Sequence, residues 1–177
     1  MVDPVSVGSY EIRPVVAGDI DQISSLHTAI WKATYAGMVA QDRLDALTPA
    51  ESASRWRQTV GDLAGHAGRG IRIRCATSLD TQEMVGFAAS GPARDHDAPA
   101  PTELWSLNVV LRYHGTGVAM DLMTSVLGGT DIPAYLWVAR DNARAVAFYR
   151  KHGFELDGAT RHDSGWDCHE VRMNNAQ

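Results

Sequence analysis

Cysteine is scarce. Cys75 and Cys168 are the only two in 177 residues, and neither belongs to a CxxC or Cys/His spacing. That leaves little support for a zinc site or a disulfide framework and favours a reducing, cytoplasmic setting. Positive charge is also in short supply: 16 Lys and Arg stand against 21 Asp and Glu, a formal net charge of -5. Non-specific nucleic-acid binding needs a basic face and is not expected. No stretch approaches eighteen uninterrupted apolar residues, and the N-terminus MVDPVSVGSYEIR lacks a basic, export-type leader, so neither a membrane span nor secretion is expected. Two phosphate-binding signatures are missing as well. There is no GxxxxGK[ST], and Met120 stands where a Rossmann turn needs its third small residue.

What is present reads as one domain. With 45% apolar and 21% charged residues the chain can bury a real core. Residues 1–9 are expected to be a flexible tail and 10–177 a single domain. Tyr10 to Val16 alternates as a peripheral strand. A helix follows with Asp19 as its expected N-cap and an apolar stripe from Ile20 through Trp31, fading at Tyr35-Ala36-Gly37. A short helical piece over Asp42 to Leu47 precedes a strong helix start, with Thr48 as cap, Pro49 in the first turn and Glu51 at N3. Gly61 to Gly70 reads as a loop and Ile71 to Ser90 as a hairpin. Three of the seven prolines put Gly91 to Pro101 in a surface loop. After a central strand and helix, Ala134 to Ala139 is a short buried strand. A helix capped by Asp141 or Asn142 then runs to Gly153, and two strands turn at Ser164-Gly165. This order predicts a mixed α/β fold of the α+β type with a mostly antiparallel sheet and one parallel crossover.

The chemistry concentrates between Glu103 and Leu127. An apolar, β-branched run feeds a helix through Arg112-Tyr113-His114-Gly115-Thr116-Gly117. Two glycines let the backbone approach a ligand closely, and bare amides at a helix N-terminus favour an anion such as a phosphate. The same turn, taken alone, is more often a plain strand-to-helix connection.

Those residues resemble the GNAT superfamily of acyl-CoA-dependent N-acyltransferases, whose pyrophosphate signature is [R/Q]-x-x-G-x-[G/A] after a central strand. Asn142-Ala143-Arg144-Ala145, followed by Phe148-Tyr149, Lys151 and Gly153-Phe154, resembles the family's N-x-x-A-x-x-F-Y-x-x-x-G-F, and Trp31 to Gly37 resembles its W-x-x-T-Y-x-G. The resemblance implies about seven strands flanked by helices, with a splayed central parallel pair. It implies acetyl-CoA as co-substrate and no metal. Coenzyme A would be held by Leu107, Val109, Val110 and Leu111 along the strand edge, by Arg112, His114, Gly115, Thr116, Gly117, Val118 and Ala119 at the turn, and by Asn142, Ala145 and Tyr149 beyond it. Leu111 replaces a proline common in the family, and Asn108 an aromatic or alanine.

An amine must lose a proton before it attacks a thioester, and Glu103, opening the central strand, is the candidate base, although a solvent-facing glutamate fits equally. Tyr149 matches the family's proton donor to the departing thiolate. Trp31 and Tyr35 are candidate acceptor-site residues. The implied reaction is direct acetyl transfer to an amine of a small molecule or of a protein or peptide N-terminus. A coenzyme A-binding module without catalysis remains the alternative, and the last two strands could join two copies into a homodimer.

Overall fold

The computed structural model describes residues 9–176. The tail expected over residues 1–9 falls, apart from Ser9, outside them.

Seven strands form one sheet in the order β1-β2-β3-β4-β5-β7-β6. They are β1 (Tyr10–Pro14), β2 (Arg72–Ser78), β3 (Met84–Pro92), β4 (Thr102–Val109), β5 (Ala134–Ala139), β6 (Glu155–Asp163) and β7 (Cys168–Asn174). Every pairing is antiparallel except β4 with β5. The helices are α1 (Ile20–Tyr35), α2 (Gln41–Ala46), α3 (Pro49–Gly61), α4 (Leu63–Gly68), α5 (Val118–Leu127) and α6 (Ala143–Lys151). One face of the sheet packs on α1 and α3 around Ile23, Trp56, Ile73 and Phe87. The other packs on α5 and α6 around Leu104, Leu122, Val126, Leu136 and Tyr149. Burying both faces explains why β3 is apolar almost throughout rather than alternating.

Three local expectations change. Asp19 occupies the position before α1, but its carboxylate caps no α1 amide; it accepts from Val16 N at 2.8 Å and from Arg13 at 2.7 and 2.8 Å. A guanidinium is a stronger partner than an exposed amide. Thr48 caps α3 as expected, accepting from Glu51 N at 3.3 Å. The glycine-rich stretch after Gly61 is not all loop: Leu63–Gly68 closes one short helix, braced by the Asp62–Arg69 ion pair at 2.7 Å. Finally, β4 stops at Val109. Val110 N turns to bond Val85 O, and Leu111–Tyr113 forms a 3-10 turn with the Leu111 side chain 75% exposed.

The feature that organises the cleft is in β4. Thr102, Glu103 and Leu104 pair with Ala134, Tyr135 and Leu136 of β5, and there the pairing ends. On its other side β4 keeps its ladder with β3 as far as Val109, and the register slips by one residue at Trp105. A bulge of this kind bends and twists the strand that carries it. Leu104, Leu107 and Val109 consequently share one face of the sheet while Trp105 faces the other. The two central strands diverge, leaving the 105–109 edge of β4 and the 137–139 edge of β5 facing a gap.

Candidate active site

That gap opens into a cleft of about 680 Å3. Its cofactor-side wall begins with Leu107 and Val109 on β4, then His114, Gly115 and Gly117 in the turn and Ala119 in the first turn of α5. Across the gap stand Asn142, Ala145 and Tyr149. Trp31 and Tyr35 of α1 close the end. Six other sequence candidates do not line it: Glu103, Val110, Leu111, Arg112, Thr116 and Val118.

The turn fits an anion. Gly117 stands immediately before α5 with φ +100°, and Gly115 has φ +79°, conformations that cost other residues strain. Among the described residues the amides of Gly115, Gly117, Val118, Ala119 and Met120 have no acceptor. The start of α5 therefore presents a set of free N–H groups and the positive end of the helix dipole to the cleft. Val118 can contribute only its amide, its side chain being fully buried, and the Thr116 amide already donates to Tyr113 O at 3.4 Å.

Arg112 does not supply a side chain to it. Its guanidinium pairs with Glu83 at 3.0 Å on the surface and lies over the Tyr113 ring. His114 takes the corresponding place. Arg144 can only donate, so the 3.0 Å contact makes His114 Nδ1 an acceptor, and the proton sits on Nε2, which donates to Val109 O at 2.9 Å. Shifting the signature two residues along, His114-Gly115-Thr116-Gly117-Val118-Ala119 keeps its glycine spacing with histidine in the first position. Helix α5 begins in that register. The same hydrogen bond uses the Val109 carbonyl, which shortens the free strand edge expected from Leu107 to Leu111.

Asn142 is a cap and a cleft residue at once. Its Oδ1 accepts from Ala145 N at 3.1 Å, while its Nδ2 donates to no described residue. Tyr149 projects from α6 with a hydroxyl that has no partner among the described residues. Burial and the neighbouring Tyr35 raise its pKa well above the usual phenol value. Burial likewise pushes Tyr35 up to about 12. Both are neutral phenols at any physiological pH.

Glu103 is placed differently from its expected role. It is 1% exposed, with both carboxylate oxygens occupied: Arg94 reaches them at 2.5 and 2.8 Å, and Tyr135 Oη donates at 3.0 Å. The carboxylate ties the 93–101 loop to the parallel strand pair, and the side chain stays behind the cleft wall. A carboxylate opening a strand reads the same in sequence whether it faces solvent or a distant arginine.

Several lining residues carried no sequence signal. Trp105 comes from the bulge, and Trp166 from the β6–β7 turn, where its ring lies 4.5 Å from that of Trp31. Asp163, Cys168 and Glu170 border the same end, with Glu170 paired to Arg161 at 2.6 Å. Cys168 is partly buried and its thiol is pushed up, chiefly by burial. Among the described residues no group of three or more potential metal ligands is found, and no helix is long and apolar enough to cross a membrane.

Comparison with known proteins agrees with this geometry. The family model described as Acetyltransferase (GNAT) family matches residues 39–154, more than half of the chain. Uncharacterised N-acetyltransferases of Mycobacterium bovis and Mycobacterium tuberculosis are 35% identical over 86 residues, 46% of this chain and 53% of theirs. The match thus spans about half the length of these curated relatives. Among solved structures, PaiA N-acetyltransferase from Thermoplasma acidophilum, in complex with coenzyme A, aligns with TM-score 0.73 and 20% identity over 96% of this chain and 99% of its own. Ribosomal-protein-alanine N-acetyltransferase from Brucella melitensis aligns with TM-score 0.65 and 19% identity over 94% and 99%. At such identities these two establish the likeness of fold. Together with the family match, which covers β4, the glycine turn and α6, they make this chain a member of the GNAT acetyltransferase family.

Proposed function

We propose that the protein transfers an acetyl group from acetyl-CoA to a primary amine, by direct attack within a ternary complex. One observation carries this reading: the unpaired amides of Gly115, Gly117, Ala119 and Met120 and an unpaired edge of β4 belong to residues that line the same cleft. A pyrophosphate suits the first, and the amides of a pantetheine arm can add to the second as an extra strand would. Arg144, anchored on His114, adds a cation near the turn. The coenzyme A in the Thermoplasma relative is the ligand that such a cleft would take.

In the transfer, the amine nitrogen attacks the thioester carbonyl, the C–N bond forms, and the C–S bond breaks as the tetrahedral intermediate collapses. Tyr149 is the hydroxyl set to meet the departing sulfur. Its raised pKa lies above that of a thiol, so it acts by donating a hydrogen bond to the developing thiolate rather than by giving up its proton. The proton lost by the amine closes the balance on sulfur, carried by water in the open cleft. Glu103 takes no direct part, because its carboxylate is committed to Arg94 and Tyr135.

Calorimetric titration with coenzyme A, followed by thiol release from acetyl-CoA over a panel of primary amines, tests the reading. Binding with turnover is expected. Binding without turnover of any amine would favour a non-catalytic module, and no binding would remove the cradle.

A further inference from the structure

A second cavity, of about 330 Å3, lies between α1, α3, α4 and the sheet. Trp31, Trp105 and Trp166 line both this chamber and the transfer cleft, so they form the wall between the two. Deeper in, His27, Trp56 and Ile73 make the chamber largely aromatic and apolar. The position of Trp105 is locked: it rides on the β4 bulge, and a Cβ on Gly91 would overlap its ring.

The charges in the chamber are one-sided. Arg55 lines it as its one fixed charge, with the rings of His27 and His66, and among the described residues no carboxylate does. Burial, with Arg55 adding to it, lowers the pKa of His27 to about 4, so the imidazole is neutral at pH 7. The carboxylates near this end, Asp163 and Glu170, lie on the cleft side of the tryptophans. A polycation entering the chamber would meet Arg55 and, among the described residues, no counter-ion, whereas a single ammonium held at the cleft side would have Asp163 beside it, Glu170 being paired with Arg161.

We propose that this chamber receives the body of the acetyl acceptor, and that the acceptor is an arylalkylamine: an aromatic ring in the chamber, with one amino group extending past Trp31, Trp105 and Trp166 into the cleft. The inference rests on the acetyltransferase reading above and narrows its acceptor from any amine to this class. Aromatic walls favour a flat ring through stacked and edge-on contacts, and the shared tryptophans place the amine beside the thioester.

Tyramine and spermidine are the discriminating probes for the full chain. With acetyl-CoA saturating, tyramine should have a kcat/KM at least tenfold above that of spermidine. Filling the chamber from α3 with Ser52→Phe, or independently Thr59→Phe, should raise the KM for tyramine at least tenfold while coenzyme A affinity stays within twofold. Saturation-transfer NMR on tyramine without cofactor should show contact through the ring protons, lost in both variants. Preference for spermidine, or an unchanged tyramine KM in two folded variants, would overturn the proposal. If coenzyme A fails to bind, the acetyltransferase reading fails, and the NMR contact still decides whether the chamber takes the ring.

Discussion

The cofactor side and the acceptor side of the cleft are built in different ways. On the cofactor side the groups that matter are main-chain: the amides of Gly115 and of Gly117 to Met120, and the open edge of β4. On the acceptor side they are side chains, brought from α1, α3, the β4 bulge and the β6–β7 turn to one place. A backbone cradle needs only a few residues in fixed conformations and leaves a short, local pattern. A side-chain chamber needs many residues spread over the chain and leaves almost none. The first half of such an enzyme can therefore be shared across a family while the second is free to vary.

The comparison is most sharply tested at Gly117. Replacing it with tryptophan would strain a residue at φ +100° and block neighbouring amides, and coenzyme A affinity should fall by roughly 10³-fold, about 4 kcal/mol. Calorimetry showing unchanged affinity would break the claim that the cofactor side is made of backbone. The acceptor side should respond to acid instead. The folded pKa of His27 is depressed to about 4 from an ordinary 6.5, so below pH 6.5 the unfolded chain takes up a proton before the folded one does. Stability should fall between pH 6.5 and 4, by on the order of 3 kcal/mol, and level off below. Denaturant titrations across that window should show a flatter profile for His27→Phe; identical slopes would mean that the imidazole is not held neutral.

Tyr149→Phe comes next. It should leave coenzyme A affinity unchanged and lower kcat about 10²-fold, the loss typical of a donor aimed at developing charge. Equal rates in stopped-flow measurements would remove the hydroxyl from the chemistry. The smallest effect is expected at Glu103→Gln. Weakening the bonds to Arg94 should cost about 1–2 kcal/mol of stability and leave the acidic limb of the pH-rate profile in place. A displaced limb would return Glu103 to the role of base.

How much could be read from the sequence follows the same division. That Gly115, Gly117, Asn142 and Tyr149 would stand around one cleft was legible because each fills a position with a local requirement: a positive φ, a cap, a place on one helix face. Arg112 misled because two readings of one glycine pattern differ only in which side chain precedes it, and only the fold shows His114 turned toward the cleft and Arg112 toward Glu83. Glu103 misled because burial and the partner Arg94 depend on how a loop nine residues away folds back. The α4 turn was hidden by its glycines, which disfavour a helix locally and are overruled by the Asp62–Arg69 pair and by Ile71 N bonding His66 O. Trp166 could not be placed at all, since nothing near it in sequence indicates Trp31.

The extra residue at Trp105 also bears on how such a chain can change over generations. Because Leu104, Leu107 and Val109 reach the same face only across that slip, β4 tolerates exchanges of side chain far more readily than changes of length. Deleting the codon of Trp105 would restore simple alternation with Leu107 and Val109 still on the face of Leu104, but it would remove the bulge that bends β4 and the ring it carries, whereas inserting or deleting a residue farther along would turn Leu107 or Val109 toward the opposite layer. Variation in what the cleft accepts is thus expected to arise by point substitution around the tryptophans, with insertions and deletions confined to the loops.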